Sequence, residues 1–135
     1  MNRFWGCTGG VFGAIAVTAG AFGAHGLKKI VGPDALAVFE TAARYQMYSA
    51  FALLAIALLR PTCHARSVQR CGWCFLVGTT LFSGSLYAMA LTDLTWRFLG
   101  AVTPFGGVLI IAGWVLLAIA AATKQNDPGQ ADPKP

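Results

Sequence analysis

Charge is what this sequence has least of. Only 11% of its 135 residues are charged, ten Lys or Arg against five Asp or Glu. A soluble domain carries about 25%. With 56% hydrophobic residues and a mean hydropathy of +0.61, the chain cannot cover a water-facing surface. A soluble globule is therefore excluded, and lipid is the environment that its apolar residues require. Scarce charge also excludes a nucleic-acid binder, which would gather Lys and Arg on one soluble face. Here the cations fall in short links between apolar runs.

Those runs are Phe4 to Ala24, Tyr45 to Leu59, Cys71 to Thr92 and Phe98 to Thr123, each free of charge. A helix crossing the hydrocarbon needs about 20 residues. Three runs meet this outright, and the second meets it when its helix begins earlier, through Glu40 and Arg44. The expectation is an all-α integral membrane protein of four transmembrane helices in an antiparallel bundle. One domain covers 1–123, with spans near 4–25, 34–59, 71–92 and 98–122. The tail 124–135 is rich in Pro, Gly and Asp and is expected to be disordered. Arg3 before an apolar run and Ala19-Gly20-Ala21 would suit a cleaved signal peptide, but the run is long and glycine-rich and reads as a retained span. With four spans, Arg3, Arg60, Arg66, Arg70, Lys124 and Lys134 share one side. Lys28, Lys29, Arg44 and Arg97 share the other. Six against four predicts both termini in the cytoplasm, at the inner (plasma) membrane.

Span one reads as a packing helix. Gly6, Gly10 and Gly13 belong to overlapping GxxxG patterns, Gly20 and Gly23 follow, and Gly84, Gly106 and Gly107 are the helix-packing glycines expected in the later spans. Small residues at this spacing let a neighbour approach closely. His25-Gly26 should end it with a left-handed glycine cap. Gly32-Pro33-Asp34 reads as the next helix start, and Glu40 with Arg44 as an interfacial ion pair one turn apart. Trp5, Trp73 and Trp96 fall at span ends, as an aromatic belt would. Trp114 lies inside span four, where its N–H needs a partner. Thr103-Pro104, followed by Gly106 and Gly107, should kink span four.

Few side chains could carry chemistry. Cys71-Gly72-Trp73-Cys74 is a CxxC, and with Cys63 and His64 a zinc site can be drawn, or a redox pair. The favoured reading of these cysteines is small apolar filler, with no metal and no cofactor. Ser83-Gly84-Ser85 is no nucleophile elbow, lacking GxSxG. On a common depth scale His25, Tyr45, Gln46, Ser49, Ser83, Ser85, Tyr87, Thr103 and Pro104 share one half of the bilayer. They form either a hydrogen-bonded plug, the favoured alternative, or a small polar cavity open to the outside.

Gly20-Ala-Phe-Gly-Ala-His-Gly-Leu27, Tyr45-Gln46, Leu81-Phe-Ser-Gly-Ser-Leu-Tyr87, Thr103-Pro-Phe-Gly-Gly107 and Gly113-Trp114 together resemble the YgdD family of small bacterial inner-membrane proteins, whose molecular function is not established. The resemblance runs from about residue 4 to 122. It implies a four-helix membrane domain and no substrate. A histidine common in that family is Ser49 here, which weakens a two-histidine metal or proton relay with His25.

Three classes of function follow. The favoured one is non-catalytic: a bundle that binds lipid, a small molecule or a membrane partner, with self-association open through GxxxG. The second is a small transporter or channel subunit with a polar cavity near His25 and Ser83. It is disfavoured because no charged residue stands at mid-span. The third, an intramembrane enzyme, has only His25 and two serines to draw on.

Overall fold

A computed structural model of the chain describes residues 2–59, 65–92 and 94–122. Arg60, Cys63, His64, Asp93 and the tail 124–135 lie outside the described residues. So, therefore, does the zinc reading that used Cys63 and His64. Four helices carry the fold: α1 (Arg3–His25), α2 (Pro33–Leu59), α3 (Ala65–Leu91) and α4 (Thr103–Ala122). Short 3-10 turns, Leu27–Lys29 and Arg97–Ala101, precede α2 and α4. All four helices are long and apolar enough to cross a membrane. At about 1.5 Å per residue, the 20 residues of α4 match a hydrocarbon core of about 30 Å. The 27 residues of α2 and of α3 reach well past it.

Consecutive helices pack antiparallel in chain order: α1 on α2, α2 on α3, α3 on α4. Because α2 has a neighbour on each side, half of its most apolar window is buried, against 17% for α1. Its alanines explain how. Ala35, Ala42, Ala43, Ala50, Ala52 and Ala57 are buried on α2, and small side chains let two flanking backbones come close where lipid offers no hydrophobic drive to associate. On α1 the matching surface is Gly6, Gly9, Gly13 and Gly23. A Cβ on Gly9 would meet Ala50 O at 3.0 Å, and one on Gly23 the Phe39 ring at 3.2 Å.

The α3–α4 crossing is closer still. A Cβ on Gly106 would lie 2.4 Å from the backbone nitrogen of Phe82 and 2.7 Å from Gly78 O. Two apolar clusters form on either side of mid-helix. One centres on Trp5, Leu53, Ile56, Cys71, Phe75 and Ile110 near the chain termini. The other centres on Leu27, Phe39 and Ala90 near the α1–α2 link. Between them stand the buried polar residues Gln46, Ser49, Thr79 and Ser83.

Several local expectations are corrected. Gly26 has φ −90°, so the α1 end is not a left-handed cap; the chain continues directly into a 3-10 turn. Pro104 does not kink a helix. It sits in the first turn of α4, where a missing N–H costs nothing. Trp5 is not a belt residue but fully buried, its Nε1 donating to Gln69 Oε1 at 3.1 Å. Trp73 and Trp96 are exposed, as is Trp114, which packs edge-on against Phe75. The residues before Cys71, expected as a basic link, are the opening turns of α3, which places Arg66 and Arg70 on a helix.

Candidate functional site

The site grows from one costly residue. Gln46 is the central residue of α2 and is 6% exposed. An amide buried at that depth is tolerated only when it is hydrogen-bonded. Its Nε2 donates to Phe12 O on α1 at 3.2 Å, and its Oε1 accepts from the Tyr87 hydroxyl on α3 at 2.9 Å. One side chain thus ties three helices. A turn back along α2, Ala42 O accepts from the Ser83 hydroxyl at 2.9 Å. We expect Gln46→Leu to cost about 1–2 kcal/mol in reversible unfolding from detergent. Adding Tyr87→Phe to that variant should change little, because the two side chains act as one unit; a full additive loss would contradict the coupling.

Beside this tie lies a cleft of about 210 Å³ between α1, α2 and α3. Phe12 and Ile15 form one wall, Gln46 the floor, and Thr79, Thr80, Ser83, Gly84 and Tyr87 the other wall. Its residues look polar, but the surface they present is mostly apolar. The Thr80 hydroxyl donates to Leu76 O at 2.7 Å, the Ser83 hydroxyl to Ala42 O and the Tyr87 hydroxyl to Gln46. The Ser49 and Thr79 hydroxyls are buried with no partner among the described residues. Thr8, Thr18, Thr41, Thr80 and Thr92 each donate to the carbonyl one turn back, which Thr79 does not. A shallower trough of about 400 Å³ along α1, at Ala14, Ile15, Thr18, Ala19 and Phe22, shares Ile15 with the cleft.

The residues singled out in the sequence do not form one cluster. Gln46, Ser83 and Tyr87 meet at the cleft. Ser85 faces the other way and pairs with Thr103 at 2.8 Å across the α3–α4 contact, with exposed Pro104 beside it. Tyr45 is exposed, its ring 5.0 Å from that of Phe82. His25 is exposed at the end of α1, its Nδ1 3.1 Å from Ala21 O in its own helix. Glu40 and Arg44 are both exposed, and no ion pair joins them among the described residues. Of the glycines named for packing, Gly6, Gly13, Gly23, Gly106 and Gly107 meet a neighbour. Gly10, Gly20 and Gly84 have nothing within 4 Å of a Cβ position. Cys71 is buried in the core near the chain termini and Cys74 half-buried.

Phe12, Ile15, Thr79 and Thr80 were not foreseen as lining residues. Nothing in a run of apolar residues marks the ones that face a gap. Gly72 and Gly78 were also missed, although a Cβ on Gly72 would strike the Trp5 ring at 2.4 Å and one on Gly78 would lie 2.9 Å from Leu109 Cβ. Their signal was available: glycines inside an apolar helix mark close approach.

A family profile described as a protein of unknown function, DUF423, matches residues 19–107, which include the floor and the α3 wall of the cleft. The chain belongs to the DUF423 family. It is 48% identical over 105 residues to a UPF0382 membrane protein of Staphylococcus saprophyticus, covering 78% of this chain and 85% of the relative. It is 40% identical over 114 residues to the UPF0382 membrane protein YwdK of Bacillus subtilis, covering 84% and 91%. No solved structure matches. The DUF423 chain is thus a small helical membrane protein, and any account of its action has to come from its own geometry.

Proposed function

We propose that this DUF423 protein is a non-catalytic bundle that holds a lipid hydrocarbon chain in the cleft between α1, α2 and α3. The observation that carries this is the fate of the polar groups. Thr80, Ser83 and Tyr87 turn their hydroxyls to partners within the protein, and of the lining hydroxyls Thr79 alone is left without one, so the cleft offers mostly hydrocarbon and no charge. An ion path would need convergent polar ligands or an ionisable group at mid-membrane. A cleft of about 210 Å³ is also below the roughly 300–1,000 Å³ of sites that enclose a drug-sized ligand, so it suits one segment of a chain. Against catalysis, Ser85 is engaged with Thr103 and His25 sits at a helix end against Ala21 O. The bundle is read as lying in the plasma membrane with both termini cytoplasmic, on the six-to-four excess of cations. Closer kinship with the YgdD proteins within this family rests on the Gly20–Leu27, Leu81–Tyr87 and Thr103–Gly107 motifs.

Gly84 provides the test. Apart from its own stretch of helix, nothing lies within 4 Å of a Cβ there, so a larger side chain leaves α3 with room to enter the cleft. Wild-type protein released from nanodiscs into native mass spectrometry should retain bound lipid. Gly84→Phe should keep its thermal stability and lose that lipid, while Val108→Phe, on the exposed face of α4, should keep it. Equal retention by Gly84→Phe would overturn the reading.

A further inference from the structure

From its first turns to just past its middle, α3 carries an exposed stripe. Arg66, Arg70, Trp73, Val77, Thr80 and Gly84 follow one another at alternating steps of four and three, the spacing of one helix face, and all six are exposed. The residues between them, Val68, Cys71, Phe75, Thr79 and Ser83, are buried. The stripe changes character with depth: two guanidinium groups one turn apart, then an indole, then an aliphatic side chain, then the wall of the cleft.

That order is the order of groups in a phospholipid. We propose that the chain in the cleft belongs to a phospholipid with an anionic headgroup, its phosphate held by Arg66 and Arg70. This rests on the cleft reading above. The lengths agree. From Arg70 to Thr80, on the cleft wall, the helix rises about 15 Å, which is half of a hydrocarbon core about 30 Å thick. A phosphate at Arg70 therefore brings its chain to Thr80, where the cleft opens.

Charge complementarity selects the headgroup. Arg3 opens α1 at the same end, and neither α1 nor α3 has an acidic residue in its first turn, so no first-turn carboxylate offsets the positive ends of the two helices. The described acidic residues, Asp34 and Glu40, belong to α2 near the other end. The Trp5 indole occupies the Gln69 side-chain oxygen, leaving the Gln69 NH2 as a donor beside Arg70. Trp73, 5.6 Å from Trp5 and half-exposed, stands at ester depth, where indoles prefer to lie. Two cations one turn apart favour a headgroup of net negative charge over a zwitterionic one, whose own cation offsets its phosphate.

The experiment exchanges wild-type protein into nanodiscs of equal phosphatidylglycerol and phosphatidylcholine and counts retained lipids by native mass spectrometry. Wild type should retain phosphatidylglycerol in excess. The double variant Arg66→Gln, Arg70→Gln should still retain lipid but lose roughly thirtyfold in preference, at about 1 kcal/mol for each cation. Arg66→Lys with Arg70→Lys should keep most of the preference, which separates charge from misfolding. Equal retention of both lipids by wild type, or a full preference in the glutamine variant, would overturn this inference and leave the cleft reading standing. Wild type that retains no lipid would overturn both.

Discussion

Gly106→Ala is expected to cost about 3 kcal/mol or more, the upper part of the range for overpacking. The reason is the identity of the atoms in the way. A methyl group there would lie 2.4 Å from Phe82 N, 2.7 Å from Gly78 O and 2.8 Å from Phe82 Cα. All three are backbone, so no rotamer change relieves the clash and the two helices have to part. The Ser85–Thr103 hydrogen bond and the seat of Ile110 near Gly78 would be lost with the crossing. Reversible unfolding in detergent micelles measures the loss. Gly10→Ala and Gly20→Ala, which meet nothing within 4 Å, should stay within about 0.5 kcal/mol of wild type. A neutral Gly106→Ala would mean that α4 is not held where the structure has it.

Trp5→Ala should cost about 3 kcal/mol, the low end for removal of a buried tryptophan. In lipid the transfer part of that cost shrinks, because hydrocarbon receives the indole in the unfolded state too. What is lost is contact: the ring lies over Gly72, packs edge-on to Trp73 and donates to Gln69. Gly72→Ala attacks the same contact from the other side and should destabilise as well. The pair should be less than additive. Full additivity would show that the ring does not rest on Gly72.

Both residues illustrate what a sequence can and cannot express. The four helices were legible because uncharged length is a direct requirement of the bilayer, and the start of α2 was legible from Gly32-Pro33-Asp34. The role of Trp5 was not, because an indole near a span end satisfies the aromatic-belt pattern whether it faces lipid or a neighbouring helix. The Pro104 kink failed for a related reason. Hydropathy marks span four from Phe98, but residues 97–101 form a 3-10 turn, which leaves Pro104 in a first turn where it is harmless.

The polar residues were grouped by depth, and depth does not fix azimuth. Ser83 and Ser85 are two residues apart, so they point to different helices, one to Ala42 and the other to Thr103. Gln46 and Tyr87 could be named but not paired, since their bond crosses between α2 and α3. The cleft itself depended on α1 leaning on α2 without covering the flank of α3, an arrangement that no periodicity encodes.

The central claim is that a lipid chain occupies this cleft, and the most direct measurement is photo-crosslinking by a phosphatidylglycerol bearing a diazirine near the end of one acyl chain, with adducts located by peptide mass spectrometry. The account predicts adducts concentrated on Phe12, Ile15 and the segment from Thr80 to Gly84, and their loss in Gly84→Phe. Adducts spread evenly over the exposed face of α4, at Phe105, Val108, Ile111 and Val115, with none favoured at the cleft, would contradict it.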